Sequence, residues 1–413
     1  MSKLRHWLWL SSRGSAPGMY SARLLEHFGS PSAAYFAGEQ EYAQLPDLPS
    51  KVRQALLDKD LSGAEKILRD CERLGVSLLT IQDAAYPERL RQLDTAPCVL
   101  YLRGRLPQMD EEAAVAIVGA RKASPYGVMA AGKLSLDLSR QGALVVSGSA
   151  RGIDTAALRG ALRAGRPVVS VLGNGVDVVY PAENRGLYDD IAAAGALVSE
   201  YPPGTPPLGE HFPVRNRLIA GLSLGVLVVE GSERSGSLIT ARWALEQNRD
   251  VFAIPGNIDN ILSQGPNRLI RQGEAKLVQE AWDILSEYEA LYPAKLHPRA
   301  PLPPKAERDR LTPPPRQQKT KRPKPAQPPV SQGTEEKQAM VIDLTRDPEA
   351  LTDDEAALLR ALQGGVTLTP DDLTERTGIP ARRVLSALTM LQVRQLVLEG
   401  VGRRFYTEVI LKE

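Results

Sequence analysis

The sequence predicts a Rossmann-like, doubly wound α/β domain with a mainly parallel sheet. It is expected between an N-terminal helical domain (SAM or helix-hairpin-helix-like) and a C-terminal winged-helix domain. Three observations carry this expectation. From about residue 113, short β-branched runs alternate with amphipathic stretches, as in a sheet covered by helices on both faces. The first hundred residues show helix-period apolar positions between short Gly/Pro breaks. The tail from 351 reads as helix, turn, helix and hairpin.

In the N-terminal part, helices are expected over 21–28, 31–36, 40–44, 49–57 and 63–74. The segment "LPDLPSKVRQAL" is similar to a helix-hairpin-helix element, in which amides at a helix start hold a DNA phosphate. It lacks the two glycines that usually open such a hairpin, so a bundle used for packing is the primary expectation. The central runs are "VAIVGA", "ALVVSG", "PVVSVLG", "ALVSEY", "GVLVVEG" and "DVFAIPG", with helices expected over 127–141, 154–164, 184–194 and 236–247. Twelve prolines between 293 and 329 mark an extended linker, expected over 293–349. In the tail, "LTDDEAALLRAL" offers a Thr cap with acids in the first turn, and Gly378 sits in the turn between the next two helices. The expected domains are therefore 1–100, 110–290, the 293–349 linker and 350–413.

Composition removes several function classes. No apolar run approaches the ~20 residues of a membrane span, and the N-terminus lacks the features of a signal peptide. Cys71 and Cys98 form no CxxC pair, which fits a reducing cytoplasm. His6, His27, His211 and His297 form no metal-ligand motif, so neither a metal nor a cofactor is expected. Net charge is +2, but ten Lys/Arg against two acids lie between 295 and 330, leaving the rest of the chain near −6. Any anion binding by the folded part must use a local patch.

In an open parallel sheet, ligands sit beyond the carboxyl ends of the strands. The segments there open with Gly119-Ala120-Arg121, with Ser147-Gly148-Ser149-Ala150-Arg151, with Gly173-Asn174-Gly175 and with Glu230-Gly231 leading to Ser235-Gly236-Ser237. Small residues let backbone amides approach an anion, and helix N-termini add a favourable dipole. The signatures GxGxxG with a distant acid and GxxxxGK[ST] are missing, which disfavours dinucleotide and P-loop chemistry. Arg121, Arg151 and "FPVRNR" (Phe212, Arg215, Asn216, Arg217) supply guanidinium groups for phosphates and an aromatic face for an unpaired base. Asp154, Asp177, Glu200 and Glu230 could do acid/base work, but carboxylates in such loops more often cap helices or orient arginines. No catalytic residue is expected.

The ordered blocks "AIVGARKASPYG", "VVSGSARGIDTAALRGAL", "SVLGNGVDVVYPAEN", "LVSEYPPGTPP", "FPVRNRLIAGLS", "VVEGSERSGSLITARWALE" and "VFAIPGNID" with "GPNRLIRQGE" resemble the bacterial DNA-processing protein DprA (Smf) family over about 160 residues. The resemblance implies a cytoplasmic protein that binds single-stranded DNA, dimerises through the Rossmann-like domain and loads RecA recombinase in natural transformation and recombination. Mapped by motif, it implies DNA contacts at Gly119, Arg121, Ser147, Gly148, Arg151, Phe212, Arg215, Asn216 and Arg217; Ser235 and Gly236 join them from the loop pattern. Leu158 stands where the family usually has histidine, Ala120 where Ser is frequent, and Gly231 where Ala is usual. Two other readings stay open: a nucleotide-processing Rossmann-like enzyme, and a duplex-DNA regulator acting through Arg382, Arg383 and Arg394 of the winged helix. Against the latter, residues 351–413 hold eight Lys/Arg and nine acids.

Overall fold

The computed structural model describes residues 2–13, 19–298, 341–343 and 351–412, apart from 365, 395, 401–403 and 408. The chain forms two compact units, 1–317 and 318–413.

The first unit is built on a sheet of nine described strands: β1 (Ser77–Thr80), β2 (Val99–Gly104), β3 (Ala114–Val118), β4 (Leu144–Ser147), β5 (Val168–Leu172), β6 (Ala196–Ser199), β7 (Gly225–Val228), β8 (Asp250–Ala253) and β9 (Lys276–Leu277). Their order is β1-β2-β6-β5-β4-β3-β7-β8-β9. Pairing is parallel from β6 through to β9 and antiparallel where β2 meets β1 and β6. Burial on both faces explains the continuous apolar runs. In β3, Val115 and Ile117 enter one apolar cluster, while Ala114, Ala116 and Val118 enter the cluster on the opposite face. The six runs read from sequence are β3 to β8.

The helical reading of the first hundred residues holds to Leu74 and then fails, because β1 and β2 form an antiparallel edge of the central sheet. The helices before them pack around Trp7, Leu8, Trp9 and Leu10, and this apolar cluster continues through Val99 and Tyr101 into the sheet. Trp9 Nε1 donates to the Asp58 carbonyl at 2.8 Å, so its indole is satisfied where it is buried. In "LPDLPSKVRQAL", Leu48, Val52 and Leu56 are core residues, consistent with packing.

The linker expected from 293 begins later, since Leu296 is buried and the His297 amide donates to the Gln141 carbonyl at 3.1 Å. Residues 299–340 and 344–349 of that expected linker lie outside the described residues. Between these stretches, Val341–Asp343 forms a strand parallel to Ile410–Lys412.

The second unit is a winged helix. Its helices are Asp353–Ala361, Pro370–Thr377 and Ala381–Val393, followed by the hairpin Leu398–Gly400 with Arg404–Tyr406. Thr352 caps the first helix, and its amide donates to the Glu355 carboxylate at 2.9 Å. Gly378 ends the second helix at φ 68°, a left-handed conformation that favours glycine.

Candidate functional site

Strands β4, β5 and β6 add to one side of β3, whereas β7 and β8 add to the other. The connections therefore diverge between β3 and β7, where open α/β sheets bind ligands. A cleft of about 350 Å3 lies there. Gly119 and Arg121 enter it from the loop after β3, and Ser235, Gly236 and Ser237 from the start of the Gly236–Glu246 helix after β7. Asp154 enters from the helix Ile153–Arg163, and Phe212, Arg215 and Asn216 from the helix His211–Gly221.

That last helix is absent from the sequence reading, because its buried residues run along both sides and leave no amphipathic stripe. Its phase separates residues that the motif "FPVRNR" groups together. Phe212 is half-buried at the cleft mouth, with the Arg121 guanidinium 4.9 Å from its ring centre and the Arg215 guanidinium at 5.7 Å. Tyr180, which the loop reading passed over, packs beside Phe212 at a ring separation of 5.5 Å. Its signal was its position a few residues beyond Gly173-Asn174-Gly175 in the same loop.

The four arginines have different surroundings. Arg121 is exposed and makes no ion pair among the described residues; its guanidinium lies over the Phe212 ring. Arg151 is exposed and pairs with the exposed Glu183, an arrangement worth little in water. Arg215 is buried: its Nη1 donates to the carbonyls of Gly148, at 3.0 Å, and Val171. A Cβ at Gly148 would lie 2.7 Å from that guanidinium, so this glycine makes room for Arg215.

Arg217 is not in the cleft. It is 0% exposed and its two terminal nitrogens donate to Glu200, itself 1% exposed, at 3.1 and 2.7 Å. Residues two apart on an α-helix point about 200° apart, so Arg215 and Arg217 cannot face one ligand. The expectation that Arg217 contacts DNA is corrected on this ground. Ser147 needs the same correction: its side chain is buried and donates to the Ile117 carbonyl at 2.6 Å.

Gly119 is packed rather than open, since a Cβ there would meet Ile153 at 2.5 Å. Gly236 differs, with nothing within 4 Å of its Cβ position. Ser235 caps this helix, accepting from the Ser237 amide at 3.4 Å, and Asn216 Nδ2 donates to the Gly236 carbonyl at 3.3 Å. The cleft thus combines an exposed guanidinium, an aromatic face, a buried guanidinium and one accessible helix start.

The carboxylates have structural partners. Both Glu230 oxygens accept from Ser124, the amide at 2.9 Å and the hydroxyl at 2.5 Å, at the start of the Pro125–Arg140 helix. Burial pushes the Glu200 carboxyl up, while Arg217 pulls it back. Asp154 accepts from the Ala150 amide at 3.3 Å; burial raises its carboxyl above the ordinary value, opposed first by Arg215. His211 Nδ1 lies 2.9 Å from the Gly173 carbonyl and its ring stacks on Tyr201. Leu158 is fully buried in the core. Among the described residues, no group of three His, Cys, Asp or Glu could hold a metal ion, and no helix is long and apolar enough to cross a membrane.

Fold and site together define a Rossmann-like α/β protein with an anion-receptive cleft at its topological switch point, joined to a winged helix. Residues 77–289 match the family model of DNA recombination-mediator protein A, and residues 342–403 match that of the DprA winged helix domain. The chain belongs to the DprA/Smf family. DNA processing protein DprA of Streptococcus pneumoniae is 46% identical over 210 residues, covering 51% of this chain and 73% of that protein. DNA processing protein DprA of Bacillus subtilis is 40% identical over 222 residues, covering 54% and 74%. The X-ray structure of Streptococcus pneumoniae DprA aligns with a TM-score of 0.60 at 35% identity, over 68% of this chain and 97% of that one.

Proposed function

We propose that the cleft between β3 and β7 binds single-stranded DNA, and that the protein uses it as a recombination mediator that protects incoming strands and loads a RecA recombinase. The observation that carries this reading is Arg121, an exposed cation without an ion-pair partner among the described residues, held over the face of Phe212 at the cleft mouth. Single-strand binders pair a cation for the backbone with an aromatic face for an unstacked base. Gly119, Gly148, Arg151, Arg215, Asn216, Ser235 and Gly236 complete the proposed site. In this reading the protein is cytoplasmic, non-catalytic and a homodimer through its Rossmann-like domain, with the winged-helix domain near 350–413.

The duplex-regulator reading has less support. Arg383 of the third winged-helix helix is paired with Asp354 at 2.8 and 2.7 Å, and Arg394 meets Glu355 at 3.4 Å. With nine acids against eight Lys/Arg over 351–413, this unit has no excess of positive charge for duplex phosphates. The test is binding of oligo-dT and of duplex of equal length across a salt series, with nucleotide hydrolysis followed in parallel. The expected result is preference for the single strand, with affinity falling as salt rises because phosphate neutralisation releases counterions. Equal duplex affinity, or salt-independent binding, removes the proposal.

Asp154 separates binding from catalysis. Asp154→Asn is expected to strengthen oligo-dT binding by roughly fivefold, since loss of one negative charge near the cleft is worth about 1 kcal/mol. A catalytic carboxylate would instead show lost nucleotide turnover. The same tightening is expected in the unmodified protein as pH falls through the raised Asp154 value. The sign for stability agrees: the folded carboxyl holds its proton more firmly than the unfolded chain does. This contribution is therefore present at low pH and lost as pH rises through the folded value.

A further inference from the structure

We propose that Glu183 stands in for a strand phosphate: it occupies the Arg151 guanidinium in the free protein and yields it to the phosphate of the nucleotide next to the one held at Arg121 and Phe212. This rests on the cleft reading above.

Arg151 lines a shallow recess together with Arg121, Tyr180, Pro181 and Phe212. The recess opens off the cleft itself, since Arg121, Ala150 and Phe212 line both. Its volume of about 20 Å3 has room for one water-sized group. That admits a phosphate oxygen and excludes a base. A base has the Tyr180 ring instead, half-buried beside Phe212 at 5.5 Å with the two ring planes 32° apart. Successive bases of a single strand stack on such neighbouring rings while the backbone follows the cations beside them, here Arg121 and Arg151.

No acid lines the recess, yet Arg151 is neutralised from just outside it. Its Nε and Nη2 donate to the two Glu183 oxygens, Nη2 at 3.2 Å. This two-point contact is the one a guanidinium makes with a phosphate. Both side chains are more than half exposed, so the pair adds little to stability and is readily exchanged. The position of Glu183 is nevertheless fixed by its neighbour. The Asn184 side chain donates to the Ser149 carbonyl at 3.0 Å and to the Thr155 hydroxyl at 2.8 Å, which ties the turn carrying Glu183 to the loop carrying Arg151. Arg151 also holds the Glu183 carboxyl below its ordinary value, so it stays an anion.

The test is a double-mutant comparison in the full-length protein, with oligo-dT of about twelve nucleotides as the probe. Glu183→Gln is expected to tighten binding about fivefold near 0.1 M salt, the effect of removing one charge beside a phosphate. It is also expected to steepen the salt slope by about 0.7, because no displaced carboxylate then gathers a cation of its own. In an Arg151→Ala background the same change is expected to gain less than about twofold, since the two residues act on one contact. A gain of equal size with and without Arg151, or no gain and an unchanged slope, would overturn the stand-in. Failure of the cleft reading looks different, because Arg121→Ala would then bind the probe as the wild type does.

Discussion

Arg121→Ala is expected to weaken oligo-dT binding about ten- to a hundredfold near 0.1 M salt, with the melting temperature unchanged. Hydrogen bonds to charged groups are worth about 1.5–3 kcal/mol, and each 1.4 kcal/mol is roughly tenfold in affinity. The side chain is exposed and has no ion-pair partner among the described residues, so little folding energy is at stake in removing it. Its position over Phe212 also limits its rotamers before a ligand arrives, which reduces the ordering cost of binding. Arg121→Lys is expected to recover part of the affinity, because lysine keeps the charge but lacks the planar fork. Full affinity in Arg121→Ala, read by fluorescence anisotropy, would exclude the cleft as the DNA site.

Arg217→Ala is expected to produce the opposite pattern: a loss of about 3–5 kcal/mol in stability, with DNA affinity retained by the molecules that remain folded. The substitution would leave Glu200 buried without its guanidinium partner. Burial already raises the Glu200 carboxyl, and Arg217 is the group that opposes this. The combined change Arg217→Met with Glu200→Leu removes both charges and is expected to restore much of the stability. Urea denaturation measures the first effect, and titration with oligo-dT below the unfolding transition measures the second. An Arg217→Ala protein of normal stability that no longer binds DNA would return this residue to the interface.

These two arginines mark the boundary of what could be read from the chain. The strands β3 to β8 were legible because burial on both faces requires continuous apolar runs, and glycine or serine where they end. Parallel connection then puts those ends on one edge, so the general location of the site was legible too. The winged helix was announced by Thr352 at a helix start and Gly378 at a helix end, both local signals. The strands β1 and β2 were not legible. Their identity comes from antiparallel pairing with each other and, for β2, with β6, a contact far away in the chain.

The sequence by itself determined the class of fold, the edge of the sheet that carries the site and the family. It also supplied the residue types an anion requires. Only the tertiary structure decided which of them face the cleft. It turned Arg215 under the cleft and Arg217 into an ion pair with Glu200, and it left Arg121 exposed over Phe212. The physical reason is helix phase together with burial. A motif records that two arginines lie two residues apart, but it takes a packed helix to send them to opposite sides, and a buried guanidinium must find its partner wherever the fold has placed one.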